Sequence, residues 1–190
     1  MDELRQELQD LKKFPRQDES TVRPPFVPES ALYSLLTTDR VRNALANSAF
    51  GLEHHQREQV AREVIDEARK IFAILVEMRI EERLKKFLDN CLTDPALPIL
   101  DGGRLHEILP ESTIHFQSLQ WQYVPQKFRE RTHKNLRPGC VLPFVEDKKL
   151  ASGAFSTVFR AKIHPEYQDW QPGSAESNVR VFETPLVMSV

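Results

Sequence analysis

The chain has 190 residues, of which 40% are hydrophobic and 28% charged, and a net charge of −2. That length suits one ordinary domain or two small ones, and that balance excludes a low-complexity chain and a clustered basic face for nucleic acid. The longest uninterrupted apolar run, Ile71 to Val76, is far too short to cross a bilayer, and the charged stretch Met1 to Phe14 does not read as a signal peptide.

In chain order, "MDELRQELQDLKKF" puts Leu4, Leu8 and Leu11 on one helical face and charges on the other. Alone it is too short to be stable, so it either docks or frays. In "PRQDESTVRPPFVPES" the prolines Pro15, Pro24, Pro25 and Pro28 deny both helix continuation and sheet pairing, which predicts a linker. A helical region then opens at Glu29 or Ser30. Asp39 is the candidate cap for its second half, with Val41 and Leu45 turned inward.

The clearest structural signal is the run from Gln56 to Asn90. Val60, Val64, Ile65, Ala68, Phe72 and Leu75 recur at helical spacing. Glu58–Arg62, Asp66–Lys70, Glu81–Lys85 and Glu82–Lys86 stand in the favourable acid-before-base order. Each such pair contributes only about 0.2–0.5 kcal/mol, so burial of the apolar stripe must supply most of the stability. Apolar residues surround the helix at "IFAILVEM", which predicts the centre of a helical core, with a bend or break near Met78–Arg79. Pro95 and Pro98 end the helix, and "LDGG" from Leu100 to Gly103 reads as a turn.

From Phe116 the chain is aromatic-rich and broken by Pro125, Pro138 and Gly139, which predicts a tether with a short strand at Gln120 to Val124. "VEDKKLAS" and "FSTVFRAKI" read as two strands around a turn at Gly153, and Val179 to Phe182 could add a third, leaving one open apolar face. The fold class is therefore α+β. A helix and linker occupy 1–28, a helical domain 29–110, a tether 111–141 and a β element 142–190.

Other constellations are weak. His54 and His55 are adjacent and diverge on a helix, and His106, His115, His133 and His164 lack ligand spacing, so no metal is expected. Cys91 and Cys140 have no CxxC partner and read as reduced thiols of a cytoplasmic or nuclear protein. Ser152 and Ser156 have no nucleophile elbow around them.

The stretch "LASGAFSTVFRAKI" resembles the L-G-x-G-x-F-G-x-V glycine-rich loop of protein kinases, whose backbone N–H groups lie over nucleotide phosphates. By this resemblance Leu150 and Val158 match the apolar residues that cover adenine. Gly153 matches the middle glycine and Phe155 the aromatic at the tip, and Ser152 and Ala154 complete the loop. Ala151 replaces the first glycine and Ser156 the third. Ala151 restricts the backbone where phosphate would approach.

The blocks "ARKIFAILVEMRIEERLKKFLDNCLTDPALPI", "FQSLQWQYVPQKF" and "LPFVEDKKLASGAFSTVFRAKIHPEYQ" resemble, in order, fungal kinase-like proteins with a helical N-terminal extension, over about residues 60 to 170. The resemblance implies ATP as cofactor. Phosphoryl transfer would also need a lysine on the third strand, its glutamate, an HRD loop and a metal-binding aspartate. None of these is in the sequence: Arg180 is the only cation in "SNVRVFETPLVMSV", and Lys162 belongs to the second strand. The expectation is a truncated kinase-like chain with no catalytic residue and no ATP binding at micromolar concentrations. The alternative is a helical module that binds a protein partner, with a vestigial hairpin and neither nucleic acid nor membrane as partner.

Overall fold

A computed structural model describes residues 1–16, 23–46, 53–129, 135–152, 156–169 and 179–185. The chain is α+β and forms two compact units, one of Met1–Lys12 with Val27–Val124, the other of Lys13–Phe26 with Pro125–Val190.

The first unit is helical. Its elements are α1 (Asp2–Asp10), α2 (Glu29–Leu35), α3 (Thr38–Ala46), α4 (His54–Glu67), α5 (Arg69–Met78), α6 (Leu84–Asp89), α7 (Gly102–Ile108) and α8 (Thr113–Tyr123). Every residue from Ile71 to Val76 is fully buried, so the element that is apolar all round is the centre of the core. Leu4 and Leu8 of α1, Val41 and Leu45 of α3, and Phe87 and Phe116 join the same core. Helix α1 is therefore docked.

The long helical run is interrupted twice. Ala68 leaves helical geometry (φ −138°, ψ 27°), because the carboxylate of Asp94 accepts the backbone N–H groups of Lys70 and Ile71 at 3.0 Å and starts α5 afresh. Burial raises the pKa of that carboxyl, against the lowering effect of the two N–H groups. At the other end Arg79 adopts a left-handed conformation (φ 60°), and the N–H of Ile80 bonds back to the Leu75 carbonyl at 3.0 Å. The expected bend or break near Met78–Arg79 is thus a break, followed by a turn of 3-10 helix at Glu81–Arg83.

These breaks decide the charge pairs. Glu58–Arg62 forms within α4 at 3.1 Å. The expected Asp66–Lys70 pair straddles Ala68, and Lys70 instead meets Glu29 at 2.7 Å. Glu81–Lys85 and Glu82–Lys86 straddle the change from 3-10 to α-helix and do not form; Glu81 is buried and faces Arg5. At α3 the cap is Thr37, whose hydroxyl oxygen accepts from the Arg40 N–H at 3.4 Å, and not Asp39, which pairs with Arg42.

Two further segments differ from their expected form. "LDGG" begins a helix, because the Asp101 carboxylate caps α7 by accepting from the N–H groups of Gly103 (3.0 Å) and Arg104 (3.1 Å). The strand expected at Gln120 to Val124 is the end of α8. Phe116, Leu119, Gln120 and Tyr123 are buried at helical spacing, and the Gln120 amide exchanges hydrogen bonds with the backbone of Ile99. The stretch read as one tether, 111–141, therefore divides between the two units after Val124.

The second unit holds two sheets among the described residues. β1 (Phe128–Arg129) pairs in parallel with β4 (Gln168–Asp169). β2 (Phe144–Ser152), β3 (Ser156–Ile163) and β5 (Val179–Pro185) form an antiparallel sheet in that order. The segment read as a linker belongs to this unit. Lys13 and Phe26 bridge each other, the Arg16 N–H donates to the Val145 carbonyl (3.0 Å), and the Asp147 N–H donates to the Arg16 carbonyl (3.1 Å). Pairing survives because Pro15, Pro24 and Pro25 flank the bonded positions and do not occupy them.

Residues directly opposite in an antiparallel pair share a face. Phe144 with Ile163 and Asp147 with Ala161 lie on a buried face. The Arg23 guanidinium covers it, lying 5.2 Å from the Phe144 ring centre and 5.0 Å from that of Phe159, with Phe26 edge-on to His164 and Tyr167. The other face carries Glu146 opposite Lys162 and Lys148 opposite Arg160, all exposed. Among the described side chains the open face is therefore charged, not apolar as expected, because Arg23 and Phe26 already cover the apolar side.

Candidate functional site

The residues that carry the kinase-loop resemblance sit where β2 turns into β3. Leu150, Ala151 and Ser152 end β2, and Ser156 and Val158 lie at the start of β3. Gly153, Ala154 and Phe155, the expected phosphate-facing tip, lie outside the described residues. Ala151 is opposite Val158 and Ser152 opposite Thr157, while the register slips between Lys149 and Ala151. Leu150 is the extra residue at that slip and is 51% exposed; Val158 is half-buried. Backbone pairing thus brings the expected adenine-covering residues within a residue of each other at the turn end of the hairpin.

The surroundings are cationic. Lys148 and Arg160 oppose each other directly on the open face, a like-charge pair that slightly disfavours the hairpin, and Lys162 follows two residues along β3. Arg180, the cation of the third strand, is in register with Ala161, a residue of the covered face. Among the described residues no group of three or more His, Cys, Asp and Glu side chains could hold a metal ion, and Cys91 and Cys140 are not joined by a disulfide. No helix among them is long and apolar enough to cross a membrane.

Beside the hairpin, His164 follows β3 directly. Its ring accepts from the Glu166 N–H at 3.4 Å and meets Phe26 edge-on at 5.6 Å and Tyr167 at 5.9 Å. Burial pushes its pKa down, Glu166 opposes the shift, and Lys13 adds to it. A histidine held neutral in the folded state takes up its proton later than in the unfolded chain. Its contribution is therefore complete above about pH 6.5 and is lost as pH falls through the lower folded value. Thermal unfolding of the wild-type chain should weaken more steeply from about pH 6.5 to about pH 5 than that of the His164→Gln chain. Parallel slopes in the two chains would refute this.

Sequence reasoning missed a second cluster, in the helical unit. Glu77, at the end of α5, accepts from Lys12 on one oxygen and from the Tyr123 hydroxyl on the other, at 2.6 Å. Burial, with the Glu77 carboxylate beside it, drives the Tyr123 phenol pKa well above its ordinary value. The only sequence sign was an acid one residue beyond an apolar run that surrounds its helix. No protein-family model matches this chain, and no curated protein or solved structure matches it.

Proposed function

We propose that residues 142–190 are the opening strands of a protein-kinase-like small lobe, in which Leu150 and Val158 meet adenine and the backbone of 151–156 lies over nucleotide phosphates. The carrying observation is the antiparallel order β2-β3-β5, with the glycine-loop sequence at the first turn and its two apolar residues beside each other next to that turn. The 190 residues contain no third-strand lysine in an apolar run, no HRD and no DFG, so the nucleotide is held weakly and no phosphate is transferred. Two cysteines outside any disulfide fit a reducing compartment.

Isothermal titration of the full chain with Mg–ATP should give no saturable heat at micromolar concentration, while millimolar Mg–ATP should shift the amide resonances of 150–158. A saturable micromolar heat would overturn weak binding. Unchanged resonances at 150–158 would overturn the nucleotide-covering role, and transfer of labelled γ-phosphate to the chain or a generic acceptor would overturn inactivity.

A further inference from the structure

Helix α1 has nine residues, fewer than an isolated helix needs, so its docking keeps it folded. Leu4 and Leu8 supply the apolar contact, and a cation lies at each end of this pair. Lys12 bonds one oxygen of Glu77, and their side chains are 7% and 10% exposed. Arg5 donates from Nε to the Val76 carbonyl at 2.8 Å, and its Nη2 lies 3.7 Å from the near oxygen of Glu81. The far oxygen of Glu81 is buried with no hydrogen-bond partner. The second guanidinium nitrogen, Nη1, is engaged by Asp2 of the same helix.

A buried carboxylate oxygen left unmet is costly, and a fork-shaped guanidinium is the group that would satisfy it. The resident helix therefore fills the groove while leaving its acidic end incompletely matched. We propose that the groove along α5, ending at Glu77 and Glu81, is a helix-binding site that α1 occupies as an internal plug. Its external ligand is an amphipathic helix of a partner protein. That helix carries two leucines four residues apart, an arginine next to the first and a lysine one turn beyond the second. An incoming arginine with no acid beside it can engage both oxygens of Glu81, so the partner matches the groove better than the helix it displaces. Covalent attachment works the other way, because it presents α1 to the groove at an effective concentration above that of a free partner. The proposal does not depend on the kinase-like reading of the hairpin.

The test uses the full chain and a fluorescent peptide of residues 1–12 carrying Asp2→Ala. Lys12→Glu in the full chain sets like charges against each other at Glu77 and should eject α1. By anisotropy the peptide should then bind this variant saturably and the wild-type chain at least about ten-fold more weakly, since there α1 still competes. A peptide that also carries Arg5→Glu and Lys12→Glu should bind neither. No saturable binding to a Lys12→Glu chain whose circular dichroism remains helical would overturn the proposal, as would equal binding of the two peptides. Should that variant fail to fold, hydrogen exchange on the wild-type chain decides. Amides of α1 must exchange at least about ten-fold faster than those of α5; exchange together would make α1 a permanent part of the core and end the proposal.

Discussion

Arg23→Ala is expected to destabilise the sheet-containing unit by about 3–5 kcal/mol, the cost of stripping one partner from a buried ion pair. Arg23 pairs with Asp147, whose side chain is 1% exposed, and lies over the rings of Phe144 and Phe159. Without the guanidinium, a carboxylate remains buried among aromatic rings, and one of its oxygens already lacks a hydrogen-bond partner. Arg23→Lys keeps the charge but loses the planar contact with both rings, so it should fall between wild type and alanine. Replacing both partners together, Arg23→Met with Asp147→Leu, should restore much of the lost stability, because no uncompensated charge is left. Hydrogen exchange of the β2 and β3 amides, followed beside that of α5, reads the effect unit by unit. A loss below about 1 kcal/mol in the β amides after Arg23→Ala would place the pair among ordinary surface contacts and refute the prediction.

Phe72→Ala should cost the helical unit about 3–5 kcal/mol, through lost transfer free energy and the cavity left behind. Phe72 is fully buried in α5, with Ile71, Ala73, Ile74, Leu75 and Val76 equally so, and no exposed side of that helix is available to collapse into the gap. Val60→Ala in α4 removes a side chain that is only partly buried and packs at the edge of the same core, and it should cost clearly less. Urea unfolding followed by far-ultraviolet circular dichroism measures both variants. Similar midpoints for the two would mean that α5 is not the centre of the core.

Local pattern was most legible where one chain segment decides its own fate. The apolar surround of Ile71 to Val76, the stripe Leu4–Leu8 and the alternating strands on either side of Gly153 each fix an element by spacing alone. The strand pairing on either side of the candidate loop was legible in the same way, since both strands are read from one short stretch. Its setting was not. Which face of the hairpin stays open depends on Arg23 and Phe26, more than a hundred residues earlier in the chain.

Misreadings cluster where a distant side chain satisfies a backbone or charged group. Nothing near Ala68 marks a break; Asp94 makes one by taking the N–H groups that a continuous helix would have used. The aromatic stretch before Pro125 carries strand-like residues, yet burial of Phe116, Leu119 and Tyr123 along one helical side, with Gln120 tied to Ile99, wins over local preference. Prolines in 15–28 did not prevent pairing beside them: Arg16 bonds to Val145 and Asp147 of β2, and Phe26 bonds to Lys13.

By itself the sequence determined the helical core and the hairpin, because spacing and residue type act locally. Only the tertiary structure decided where helices stop, which sheet face is covered and which acids are buried, because each of those depends on a partner far along the chain whose approach removes a polar group from water.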